Sequence, residues 1–325
     1  MRFAVYASSR GNYFFDEIRD LLACGLEDLG FAARTGNEND AFRGGADWHL
    51  VVAPHEFFHY GAGLGLLEKK LPRNLIFFDG DQPGAHWLSL NRRLFPPARE
   101  IWHLDPRAVR AIRGQGFACR HVPLGFSARC ALFRPVRRLP AMDRTAALSP
   151  SDRGPSPRAL AGRPFDLFFS GSLTARRKSF FLRHARALAR FRNFLHFTDP
   201  RVPVRPEHPG ALDSRASAGL EQRAKVVLNL HRGGTTFLEW HRIALHGLAQ
   251  RALVVSEPVG PSALLKPGRD FIAAPLNEIP ATLERLLFSP EGRRKAQRIA
   301  DQGHETFSRN CRMSDFLKPA VAGLS

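Results

Sequence analysis

Short apolar runs ending in Gly, Pro or an acid alternate with amphipathic helical stretches along this sequence, and few folds accept that rhythm. "RFAVYAS" leads into "NYFFDEIRDLLACGLEDLG"; "WHLVVAP", "NLIFFDG", "EIWHLD" with "PRAVRAIRGQG", and "CRHVPLG" follow. Continuous apolar runs suit strands buried on both faces, and intervening 3.6-residue periodicity suits the helices that cover them, so the chain reads as βαβ units around a mostly parallel sheet. Residues 135–163 lose this periodicity, turn rich in Pro, Arg, Ser and Ala, and read as a linker or surface excursion. The pattern then restarts with "FDLFFSGSL", "ARRKSFFLRHARALARF", "NFLHFTD", "KVVLNLH", "ALVVSE" and "DFIAAP", before a helical tail from about Glu278. The expectation is two doubly wound, Rossmann-like α/β domains facing a cleft. Residues 1–134 form the first, 164–325 the second, and ligand chemistry belongs at the C-terminal edges of the sheets.

With 44% hydrophobic residues in 325, the chain can build a core in each domain. Lys+Arg 48 against Asp+Glu 30 gives a net +18, which favours anionic partners: nucleotides, phosphorylated glycans, or weakly an acidic membrane surface. Nucleic acid is not expected, because Arg is spread through every segment and no RNA-binding aromatic signature, zinc finger or basic heptad array accompanies it. Cys24, Cys119, Cys130 and Cys311 are far apart in sequence, with no secretory segment before them. No apolar run approaches the roughly 18–20 residues that span a bilayer. Free thiols and a cytoplasmic location are expected.

Two glycine-bearing strand ends carry the binding chemistry. In "FFSGSLTARRK", Gly171 and Ser172 follow a strand, and Arg176, Arg177 and Lys178 fall in the first turn of a helix, where the dipole disfavours cations unless an anion outweighs it. A phosphate meets that condition; a solvated basic face is the plainer alternative. "NLHRGGTTFLEWHR" repeats the design, with Asn229 and His231 at a strand end, a Gly233-Gly234 turn, and Thr235 or Thr236 opening a helix. Glu239 fits a capping box with Thr236, or accepts hydrogen bonds from a sugar or ribose. Glu239, Arg242 and His246 share one helical stripe, which the reading turns toward a ligand.

"PHEFFH" is formally the zinc pattern, with His55 and His59 as ligands and Glu56 as base, but glycines at 61, 63 and 65 leave it barely two turns and no third ligand is evident. His55 and Glu56 read instead as groups at a strand's C-terminal end. Asp79-x-Asp81 matches a metal–diphosphate pattern and also ordinary turn chemistry, which is favoured. Asp105 reads as a helix cap, with Pro106 at the first helical position.

The segments "VVAPHEFF", "FFDGDQPGAHWL", "IWHLDPRAVRAIRGQGFACRHVPLGF", "FFSGSLTARRK" and "FLEWHRIALHGLAQRALVVSE", taken in order, resemble bacterial two-domain (GT-B) glycosyltransferases of the spore-maturation-protein (CgeB-like) type, relatives of the group 1 retaining transferases. The resemblance implies metal-independent transfer of a sugar from a nucleotide-sugar on the C-terminal domain to an acceptor on the N-terminal one, without a cofactor. It places Arg176, Arg177 and Lys178 at the donor diphosphate and Glu239 near the donor sugar. The family's second acid, usual at the place of His246, is absent. Arg251 stands where a small glycine is usual, and Glu257 is a replacement carboxylate or a loop cap. The catalytic set is therefore Glu239, His55 and Glu56. A non-catalytic glycan- or nucleotide-binding protein with a degenerate GT-B fold is the rival reading, and a zinc hydrolase the more remote one.

Overall fold

The computed structural model describes residues 1–81, 86–139, 152–208, 211–233, 243–260 and 264–324. They divide into two compact units, each with a parallel sheet.

The first unit comprises Met1–Cys130, Pro203–His208 and Arg312–Ser325. Its elements are β1 (Arg2–Tyr6), α1 (Tyr13–Asp28), β2 (Ala32–Gly36), β3 (Trp48–Val52), α2 (Pro54–His59), β4 (Leu75–Asp79), α3 (His86–Leu94), β5 (Glu100–His103), α4 (Pro106–Arg113) and β6 (Cys119–His121). The strand order is β2-β1-β3-β4-β5-β6. β4 is buried throughout, as its unbroken apolar run requires. Asp105 caps α4 by accepting the Arg107 amide at 2.7 Å, with Pro106 first in the helix, as its sequence implies.

The second unit comprises Ala131–Val202 and Pro209–Cys311. It contains β7 (Phe165–Ser172), α5 (Ala175–Arg183), α6 (Ala185–Leu188), β8 (Asn193–Thr198), α7 (Ser214–Gln222), β9 (Ala224–Asn229), α8 (Ile243–Ala249), β10 (Leu253–Ser256), β11 (Ile272–Ala273), α9 (Ile279–Phe288) and α10 (Pro290–Asn310). The strand order is β11-β10-β9-β7-β8.

A last helix, α11 (Met313–Ala322), returns to the first unit and packs along α1. The helical tail is thus shared between the units, where the sequence reading gave all of it to the second. The described flanks of 135–163 also depart from a free linker. Leu139 and Leu160 lie in the second core, and the fully buried Arg223 donates to the carbonyls of Val136, Asp152 and Arg153. No described helix is long and apolar enough to cross a membrane.

Candidate functional site

In a doubly wound sheet the strand order reverses at one point, and the carboxyl ends of the two strands there leave a crevice for ligands. That point lies between β7 and β9 in the second unit and between β1 and β3 in the first.

Gly171 is not a turn: β7 continues through Ser172, with Gly171 opposite Phe197 of β8. Its missing side chain makes room for a guanidinium, since a β-carbon there would lie 3.1 Å from Arg177 Nη1. Arg177 is buried, and its Nε donates to the Leu230 carbonyl at 3.0 Å while Nη1 donates to the Ser172 carbonyl at 3.0 Å. It is a strut between the ends of β7 and β9, with its guanidinium 5.5 Å from the Phe169 ring centroid. This inward packing does not match the expectation of three outward cations.

Arg176 is the cation that stands at the sheet edge. It forms a two-pronged pair with Glu257, 2.7 Å for Nη1 to Oε1, and Nη1 also donates to the His231 carbonyl at 3.3 Å. Glu257 Oε1 accepts the His231 amide at 2.7 Å. Burial works to raise the Glu257 pKa, but Arg176 and that amide outweigh it and hold it below the ordinary glutamate range. Among the described residues the buried Nε2 of His231 has no hydrogen-bond partner. Lys178 is exposed on the outer side of α5, and Thr174 caps that helix. Asn229 is buried, its amide donating to Ser256 Oγ at 3.0 Å.

His246 departs from the ligand-facing expectation. It is buried on α8, with Nδ1 3.6 Å from Glu221 Oε2 and its ring edge-on to Phe133 at 5.9 Å. The stripe turns inward there because α7 and the 131–133 turn cover that face of α8. Gly233 is exposed, and Gly234, Thr235, Thr236, Glu239 and Arg242 lie outside the described residues.

In the first unit, Ala53 adopts a left-handed backbone (φ 50°, ψ 69°) immediately before Pro54. Such a conformation costs about 1–3 kcal/mol and persists only where its surroundings impose it. The turn aims Glu56 at the β1–α1 loop, where Oε2 accepts the Asn12 amide at 2.6 Å. A β-carbon on Gly11 would lie against that carboxylate, so a larger residue there would push Glu56 aside. His55 points elsewhere: its Nδ1 lies 3.1 Å from both Asp81 Oδ2 and Asn91 Nδ2. The Asn91 amide donates to Asp79 Oδ1 at 3.1 Å and Asp81 Oδ2 at 2.8 Å. With those hydrogens committed to carboxylates, the His55 proton on Nδ1 faces Asp81.

Burial opposes charge on His55, yet Asp81 and Glu56 together raise its pKa. Burial also raises Glu56, lifts Asp79 well above its ordinary range with Asp81 adding to the effect, and pushes His103 down to about 4. The Asp81 amide donates to Asp79 Oδ1 at 2.9 Å, so Asp79-x-Asp81 forms the local turn that its sequence favoured. The zinc arrangement is not formed: His55 faces Asp81, Glu56 faces Asn12, and His59 Nδ1 bonds to the carbonyl of His55 at 2.8 Å. Asn91 and Asn12 went unread in the sequence; their link to this site is spatial, and no spacing announces it.

No protein-family model and no curated protein matches the sequence. Solved structures do resemble it in fold. Sucrose-phosphate synthase from Thermosynechococcus elongatus aligns over 100% of both chains at 13% identity, with a TM-score of 0.60. HepE of Anabaena in complex with UDP aligns over 100% of this chain and 99% of that one, at 12% identity and 0.56. An alpha-glucosyltransferase in complex with UDP aligns over 100% and 99%, at 11% identity and 0.61. The two parallel-sheet α/β units therefore have the fold of GT-B glycosyltransferases.

Proposed function

We propose that the chain is a glycosyltransferase of the spore-maturation-protein type, moving a sugar from a nucleotide-sugar bound at the second unit to an acceptor hydroxyl bound at the first. One observation carries the reading. At the reversal point of the second sheet, Arg176 is held by Glu257 beside His231, whose buried Nε2 has no hydrogen-bond partner among the described residues. A buried imidazole nitrogen without a partner costs stability until a ligand satisfies it. The shared fold supports the reading, as does UDP in two of the structures compared.

In this reaction the bond between the anomeric carbon and the donor phosphate breaks, and charge gathers on the departing diphosphate. Arg176 meets that charge in place of a metal, whereas Lys178, proposed from the sequence for the same role, is exposed on the outer side of α5. Glu239 contacts the donor sugar, and His55 and Glu56 serve the acceptor side. We assign retention of anomeric configuration and independence from cofactors on the family resemblance, and a cytoplasmic location on the four widely separated cysteines.

The test is a panel of nucleotides and nucleotide-sugars, UDP and UDP-glucose first, read by thermal stabilisation with and without a chelator. A ligand at a hundredfold its Kd adds about 2.7 kcal/mol. Stabilisation that survives the chelator and falls at least about tenfold in affinity in Arg176→Ala is expected. No nucleotide effect at any concentration would refute the reading.

The closed Arg176–Glu257 pair favours a second reading, because a diphosphate must share Arg176 with a carboxylate. Nucleotide-sugar binding with neither hydrolysis nor transfer would select the non-catalytic glycan- or nucleotide-binding protein.

A further inference from the structure

From Leu167 to Thr198 the sequence holds seven Arg or Lys residues and no Asp or Glu. Three of the seven are accounted for: Arg177 braces the strand ends, Arg176 pairs with Glu257, and Arg190 pairs with Glu284. Lys178, Arg183, Arg186 and Arg192, together with Arg190 itself, are exposed. Lys178, Leu182 and Arg186 recur every four residues along α5 and α6 and are all exposed, and Arg190 follows in the exposed turn after α6.

Acids around the stretch are already engaged. Asp166 pairs with Lys225 at 2.7 Å, Asp199 with Arg201 at 2.6 Å, and Glu284 with Arg190. Among the described residues no ion pair forms at Lys178, Arg183 or Arg186.

Apolar groups stand among these cations. Leu182, between Lys178 and Arg186, is 67% exposed. Phe197, 37% exposed on the edge strand β8, is joined to α5 through Phe181, their ring centroids 4.9 Å apart. At the far end, Arg190 lies 5.3 Å from the ring centroid of Phe288, itself 44% exposed. Like charges without counter-ions repel, and an exposed leucine gains nothing in water. Both become favourable together against an anionic bilayer, where cations meet headgroup phosphates and short apolar side chains reach the acyl boundary.

We propose that this face of α5, α6 and β8 docks on an anionic lipid surface. A nucleic acid would use the cations but leave Leu182, Phe197 and Phe288 without a role, so lipid is the partner the face fits. The inference stands whether or not the chain transfers sugar.

The experiment is flotation of the full chain with vesicles of phosphatidylcholine alone or mixed with phosphatidylglycerol. Binding to the mixed vesicles only is expected, weakening as salt rises. Each cation at such a surface is worth roughly fivefold in partition, so Arg183→Glu with Arg186→Glu lowers it at least about tenfold. The same charge removed elsewhere, by Arg294→Glu with Arg298→Glu on exposed positions of α10, changes it less than about twofold. Leu182→Asn, which alters no charge, lowers it severalfold. Equal losses in the two charge variants, or a silent Leu182→Asn, would overturn the proposal. So would tighter binding of duplex DNA that is lost in Arg183→Glu with Arg186→Glu. Amide exchange of wild-type residues 175–198 supplies a readout without mutation: slower exchange with mixed vesicles is expected, and unchanged exchange overturns the proposal.

Discussion

Arg176 and Arg177 are adjacent in sequence and do opposite work. Removing the Arg177 side chain would take the guanidinium donor from the Leu230 carbonyl inside the second unit, leave the Ser172 carbonyl to the Thr174 amide, and open a cavity against Phe169. A buried hydrogen bond to a charged group is worth about 1.5–3 kcal/mol, so Arg177→Ala should cost at least that much in urea unfolding. Arg176→Ala would leave the buried Glu257 carboxylate with only the His231 amide, so it costs stability too, and what sets it apart is a loss of nucleotide affinity. Nucleotide binding weakened as much in Arg177→Ala as in Arg176→Ala would refute the division. The sequence showed three cations after a strand, which marked this strand end as a candidate. It did not show which one turns inward, because that depends on the carbonyl of Leu230, more than fifty residues away. The same limit hid Asn91, whose amide joins His55, Asp79 and Asp81 only once β3, β4 and α3 are assembled.

Strands with continuous apolar runs were legible as elements, and those without were not. β2, "AARTG", has no buried residue and pairs only with β1 at the sheet edge, so it lacks the run that marks a strand. α7, "SRASAGLEQ", buries mainly small side chains and so shows no leucine stripe, although Asp213 caps it by accepting the Ala216 amide at 2.6 Å. At the end of α8 the glycine common to the resembled family is replaced, yet the backbone keeps the glycine conformation. Arg251 has φ 57°, and the bonds from Ala252 to Gly247 at 2.8 Å and from Arg251 to Leu248 at 3.1 Å close the helix in a Schellman turn. Its pairing with Asp301 at 2.9 Å offsets part of the strain. Comparing Arg251→Gly with Arg251→Ala removes the ion pair from both. Glycine, ordinarily about 0.5–1 kcal/mol the worse of the two inside a helix, should here be the more stable by about 1 kcal/mol. Alanine equalling glycine in melting temperature would contradict the left-handed assignment.

At the scale of the whole molecule, the two-sheet plan followed from the sequence rhythm, but the path of the chain between the units did not. Residues 203–208 come back to the first unit, where the Val204 carbonyl accepts the Tyr13 amide at 2.9 Å and Arg205 pairs with Asp16 at 2.7 Å. Helix α11 comes back as well, burying Met313 and Leu317 beside α1. Cutting the chain after Cys311 should therefore destabilise the first unit, although the deleted residues follow the second in sequence. Hydrogen exchange should rise in α1 and β2 and change little in β9 and β10; the reverse pattern would refute the assignment. The path also sets a schedule for synthesis. The second unit has all its strands and its core helices before α11 is made, whereas the first, begun earlier, waits for a helix encoded about 180 residues later. At 5–20 residues per second that wait is roughly 10–40 s. Throughout it the apolar flank of α1 is uncovered on the ribosome, so the first unit, though begun before the second, is finished after it and is the one more in need of a chaperone.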